Sequence, residues 1–136
     1  MKTFTLTASL IIGSFLSILS LSFSSFQDKP WNVPEAAEKM KNPTQASPDN
    51  INMGKTLYAK HCRSCHGKAG EGDGPKAAEL KTSPGDFTAA EFQAQSDGSL
   101  YYKTTEGRDD MPNFKKKIGS DEDRWLIVHY LRTLKP

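Results

Sequence analysis

Apolar and polar positions divide the chain into three parts. From Leu6 to Phe23 it is apolar with serines interspersed, and residues 3–27 carry no charged side chain. From Phe26 to Asn50 a polar stretch is punctuated by Pro30, Pro34, Pro43 and Pro48. Beyond it, apolar positions recur at helical spacing, and no strand-like alternation of any length occurs. Ile51, Gly54, Leu57, Tyr58 and His61 share one face of a helix predicted over 50–61, opened by Asp49 or Asn50. Leu126, Ile127, Tyr130, Leu131 and Leu134 form the stripe of another over 121–134. Ser120 and Asp123 fit a capping box there, and Arg132 and Lys135 suit the negative end of its dipole. A third is predicted over 96–106, from Ser96 or Asp97 to Gly107, with Leu100, Tyr101 and Thr104 inward. Shorter helical pieces are expected at 34–41, with proline in first position, at 76–81 and at Glu91–Phe92. The fold class is all-α.

Gly54 stands out within the first of these helices. An interior glycine costs about 1 kcal/mol against alanine, so its presence predicts the close approach of a second helix. The nine residues from Gly67 to Pro75 hold four glycines and predict a turn-rich loop. They lack the lysine-serine or lysine-threonine pair and the preceding strand of a phosphate cradle.

The apolar leader, with Lys2 as a minimal positive start, reads as a signal peptide over residues 1–24, with Ser22 and Ser24 preceding a cut near Ser25. Retention as an anchor is the alternative, since about 20 apolar residues span a bilayer. Both place the remainder outside the cytoplasm, in the periplasm or on the outer face of the cytoplasmic membrane. Residues 25–49 then form a Pro-rich linker or arm. Trp31 within it is expected to pack on the domain surface, with a partner contact as the alternative. Residues 50–136 form the domain.

Composition narrows the picture further. The chain is 36% hydrophobic, a share raised by the leader, and its mean hydropathy is −0.60. Little apolar material is left for a core, and small domains in that position need a staple. A formal charge of +2 gives no support for nucleic-acid binding.

The staple is suggested by Cys62-Arg63-Ser64-Cys65-His66, which contains the only two cysteines. C-x-x-C-H is the pattern of covalent haem attachment. Two intervening residues let both thiols reach vinyl groups along one edge of the ring, and the adjacent histidine is carried to the iron. A dithiol redox pair would need a βαβ setting; a zinc site usually needs four ligands; a disulfide across so tight a loop constrains little of the unfolded chain. Two haem propionates would make the assembled protein somewhat more negative than its count. A six-coordinate iron needs a ligand opposite His66. Among Met1, Met40, Met53 and Met111, only Met111 sits on a loop, stiffened by Pro112, with 45 residues of intervening chain to reach the other face. His61 is too near the attachment site to swing round, and His129 belongs in or beside a helix stripe.

With these residues in order, the chain resembles the class I cytochromes c of the small bacterial monohaem kind. The resemblance covers roughly residues 50–135: the Gly54/Tyr58 helix, Cys62-x-x-Cys65-His66, Gly74-Pro75, Met111-Pro112 and the acidic entry into Trp125–Leu131. It implies a cytochrome c-like fold of three to five helices around one haem c held by Cys62 and Cys65, with His66 and Met111 on the iron. It also implies a helix crossing at Gly54 and Tyr130, and a proline carbonyl on the proximal imidazole, for which Pro75 is the candidate. Phe87 is a candidate haem-packing aromatic, and Trp125 is expected over the haem or the crossing. The implied function is a monomeric, exported carrier of single electrons, not an enzyme, docking briefly with redox proteins. Lys115–Lys117 are a candidate docking run, though a solvated charged face explains them as well. A haem-bearing subunit of a respiratory or oxidoreductase complex, an open-site haem protein with peroxidase or gas-binding activity, and a haem-free dithiol module are the competing readings.

Overall fold

The computed structural model describes residues 30–136, so the expected leader and its cleavage site lie outside the described residues. Among these residues the secondary structure is helical, without strands. Three helices are long: α2 (Pro48–His61), α5 (Asp97–Glu106) and α6 (Asp121–Arg132). Three are single turns: α1 (Glu35–Glu38), α3 (Arg63–His66) and α4 (Ala90–Gln93); a 3-10 turn spans Ala77–Glu79. The expected three to five helices are exceeded because the attachment motif itself winds into α3.

Capping explains where the long helices begin. Ser96 and Ser120 accept from the backbone N–H groups of Ser99 and Asp123, as the sequence suggested. α2 starts earlier than expected. Ser47 is its N-cap, accepting from Asn50 N–H, and Pro48 occupies the first turn, where its missing N–H costs nothing. α1 also differs from expectation, since Pro34 is its cap rather than its first residue.

Helices α2 and α6 make the principal crossing of the fold. A Cβ built on Gly54 would lie 2.1 Å from the Leu126 carbonyl oxygen and 3.2 Å from Tyr130 Cβ. Only a bare backbone permits that approach. Tyr58 is 1% exposed and packs on Tyr130 with ring centroids 5.0 Å apart.

α6 is buried on two sides, which its single apolar stripe did not reveal. Ile127, Tyr130 and Leu131 join Tyr58, Phe87, Phe114 and Ile118 in one core cluster. Trp125 and Val128 face α5 and join Leu100 and Tyr101 in another. Trp125 therefore stacks on Tyr101, at 4.0 Å between centroids and 9° between planes, rather than covering the α2 crossing.

The arm wraps the domain. Asn42 donates to the Trp125 carbonyl, and Thr44 bonds to His129 Nε2 at 2.9 Å. Gly98 of α5 lies so close to the arm that a Cβ there would sit 2.0 Å from the Ala37 carbonyl oxygen.

Arg124 is the buried cation of the fold, 1% exposed. Its guanidinium donates to the Ile118 carbonyl, to Thr105 Oγ1 at 3.2 Å and to Tyr101 Oη at 3.2 Å, and it pairs with the exposed Asp121. One side chain thus joins α5, α6 and the segment between them. Arg124→Met is expected to cost about 3 kcal/mol, because it strands buried acceptors. Asp121→Asn, which removes only an exposed partner, should cost less than about 1 kcal/mol. Urea melts followed by circular dichroism would separate the two; equal effects would contradict this ranking.

Candidate functional site

The site is built on the end of α2. The Cys62 N–H still donates to the Tyr58 carbonyl, closing the helix, and Cys62 then serves as N-cap of the single turn α3. That turn sets Cys62, Cys65 and His66 into one cleft, with both cysteines free. The glycine-rich loop folds back against the turn: Gly74 N–H donates to the Cys65 carbonyl and Lys76 N–H to the Ser64 carbonyl. Tyr58 Oη donates to the Gly67 carbonyl at 2.7 Å, fixing the chain just after His66. Burial holds the Tyr58 phenol well above its usual pKa.

His66 is buried, and its ring stacks on Phe87 with centroids 4.2 Å apart. Phe87 stacks in turn on Phe92 at 4.4 Å. Burial pulls the His66 pKa down to about 4, opposed by the Pro84 backbone carbonyl near the ring. That carbonyl faces the ring only loosely: Nδ1 is buried with no partner at ordinary hydrogen-bond distance. The imidazole is therefore neutral near pH 7, the form that can donate a lone pair to a metal. The same burial pushes the Cys62 thiol up to about 12, with the neighbouring Cys65 adding to the shift. A redox dithiol has the opposite character, a thiolate stabilised by its surroundings.

Pro84, rather than Pro75, is the proline at the imidazole. Pro84 lines the cleft and Pro75 does not. The loop 67–75 is pinned to the backbone of α3, so the chain reaches the ring only after the later turn at Ser83–Gly85.

Met111 enters the cleft from a tight reversal. Arg108 and Met111 exchange both backbone hydrogen bonds, at 3.0 and 2.8 Å, around Asp109 and Asp110. Gly107, at φ +66°, makes the reversal possible: a Cβ there would lie 2.5 Å from the Met111 carbonyl oxygen. Asp110 accepts the Lys81 N–H at 2.8 Å, tying this loop to the one that carries Pro84. Met111 is half-buried and packs against the core cluster that contains Cys62 and Phe87. Met40 and Met53 are exposed and do not line the cleft.

The structure thus gathers Cys62, Cys65, His66 and Met111 around one cleft walled by Phe87, Phe114, Ile127 and Leu131. Two thiols, a neutral imidazole with an orphaned nitrogen and a thioether, on apolar walls, fit a haem bound through its edge and its iron. His61 also lines the cleft, edge-on to Phe114 at 6.2 Å. His129 does not; it holds the arm. Sequence reasoning missed Phe114, Pro84, Arg108 and Trp31 as cleft residues. Only Phe114, following Met111-Pro112 closely, carried a sequence signal that could have found it.

Comparison with known proteins agrees with this donor set. The family profile described as "Cytochrome C oxidase, cbb3-type, subunit III" matches residues 49–131, more than half of the chain. No curated protein sequence matches at a significant level. Among solved structures, a chain of the Kuenenia stuttgartiensis reducing HAO-like protein complex Kustc0457/Kustc0458 is 33% identical, with a TM-score of 0.63. The match covers 71% of this chain and 50% of that one, so the chain spans half the length of that relative. The KustC0563 c-type cytochrome is 32% identical with a TM-score of 0.54, over 61% of this chain and 98% of that one.

Proposed function

Because this chain belongs to the cytochrome c family and is an electron-transfer haem protein, we propose that it is a monohaem carrier of single electrons with histidine–methionine ligation. The observation that carries this reading is the convergence of Cys62, Cys65, His66 and Met111 on one apolar cleft. Haem bound there supplies reversible exchange between ferric and ferrous iron. Each cysteine thiol adds S–H across one vinyl group, giving two thioethers and fixing the ring edge to α3. His66 gives its lone pair to the iron, and Met111 gives its sulfur from the opposite loop. A soft thioether and low-dielectric walls both favour the ferrous state and raise the potential. No bond of a substrate changes, so the protein acts as a carrier rather than as an enzyme.

The leader supports an exported protein, in the periplasm or on the outer face of the cytoplasmic membrane. Partners are redox proteins met in short, electrostatically steered encounters. A second reading, a dedicated subunit of an oxidoreductase complex, is favoured by the family description and by the HAO-like complex of the half-covered relative. Co-purification with a stable set of proteins would select it, and recovery of the monomer would select the free carrier.

Met111→Ala is the variant that tests the ligand set. Haem should stay attached, the potential should fall, and the ferrous form should bind carbon monoxide. An unchanged redox titration with no carbon monoxide binding would refute Met111 as a ligand. Carbon monoxide binding by the wild type would instead favour the open-site reading.

A further inference from the structure

The arm reaches the cleft as well as strapping the helices. Trp31 is among its lining residues, and the Arg108 guanidinium lies over the indole, 4.6 Å from its centroid. Lys103 approaches the same ring at 5.6 Å. Two cations therefore converge on one aromatic face at the cleft. Their mutual repulsion is visible in Lys103, whose pKa is lowered by burial and then by Arg108, with Glu38 opposing. Asp109 pairs with Arg108 at 3.2 Å, but that carboxylate is 59% exposed and contributes little. Asp110 is engaged by the Lys81 N–H.

Of the described residues lining the cleft, Arg108 is the only lysine or arginine. The cofactor proposed above carries two carboxylates at the ring edge away from its vinyl groups. A planar guanidinium is suited to such groups, and an aromatic face pre-orients it.

Resting on the haem reading, we propose that Trp31 is a positioning residue of the cofactor site: its indole walls the cleft and holds Arg108 toward the haem carboxylates. The N-terminal arm thereby becomes part of the redox centre. An anion left without its cation near the iron stabilises the ferric state, so weakening this arrangement lowers the potential. It also lets the carboxylate keep its proton to higher pH, which moves the pH-dependent step of the potential upward.

The test uses the full haem-loaded chain as wild type, Trp31→Phe, Trp31→Ala, Arg108→Gln and the double variant Trp31→Ala/Arg108→Gln. Reduction potential is titrated across the acid-to-neutral range, with helicity and the ferric methionine band recorded to show an intact fold and ligand set. Trp31→Ala and Arg108→Gln should each lower the potential and move its pH-dependent step upward. Trp31→Phe should retain most of the wild-type behaviour, because an aromatic face remains. The double variant should go no further than Arg108→Gln alone. Wild-type behaviour of Trp31→Ala would overturn the proposal. So would a Trp31→Ala shift of equal size with and without the guanidinium, since the ring would then merely shield the haem from water. A colourless wild type would sink the haem reading itself, whereas coloured variants with unaltered potentials would sink this proposal alone.

Discussion

Replacing Cys62 and Cys65 together by alanine is expected to give a colourless protein that has lost most of its helical structure. The walls of the cleft are core residues: Phe87, Phe114, Ile127 and Leu131 are each buried and each line it. They belong to the cluster that also holds the α2–α6 crossing. A haem would fill the space between them, and without it water meets those walls. Leaving on the order of 200 Å² of apolar wall wet costs about 5 kcal/mol at about 25 cal/mol per Å². That equals the whole stability of a marginal small domain, about 5 kcal/mol. Other staples are scarce, because both cysteines belong to the site and the second cluster is small. Circular dichroism of the double variant measures this directly. A stable, helical apoprotein would show that the two helix clusters suffice without the cofactor.

Gly54→Val is expected to cost about 5 kcal/mol, above the usual overpacking range of about 1–3 kcal/mol. The reason is what the new Cβ would strike. Its nearest neighbours are the backbone oxygen and carbon of Leu126, at 2.1 and 2.7 Å, so no side-chain rotation relieves the clash. Either α6 moves away from α2 or α2 bends, and both separate Tyr58 from Tyr130. Replacing an interior helical glycine would otherwise be favourable, by about 1 kcal/mol for alanine, and the clash outweighs that several-fold. A domain of this size loses about 4–8 °C of melting temperature per kcal/mol. The fall should therefore be on the order of 20 °C or more, with the ligands of the iron unchanged. A melting temperature equal to that of the wild type would contradict the crossing.

Local signals were legible wherever one residue type does one physical job. Ser96, Ser120 and Gly107 bounded helices because caps satisfy backbone groups through short-range bonds. Gly54 announced a helix crossing because little else justifies glycine inside a helix. Cys62, Cys65, His66 and Met111 were grouped by chemistry, and the structure places them around one cleft. What stayed hidden depended on long-range packing. Pro75 was chosen over Pro84 because spacing cannot say how a glycine-rich loop doubles back. Trp125 was sent to the wrong neighbour because α6 is sandwiched, with α2 on one flank and α5 on the other. Arg124, in the first turn of an acidic helix entry, has the sequence look of a solvated residue, yet it is 1% exposed. The polar arm gave no sign that Trp31 would reach the cleft, because its contacts lie more than 70 residues away in sequence.

The most direct test of the account is the visible spectrum of the purified protein, made in a host that attaches haem to exported chains and recorded in both redox states. The account predicts a coloured protein whose haem stays with the chain after acid–solvent extraction, with a weak ferric band near the red end that is lost in Met111→Ala. A colourless protein, or colour that washes out of the chain, would contradict it.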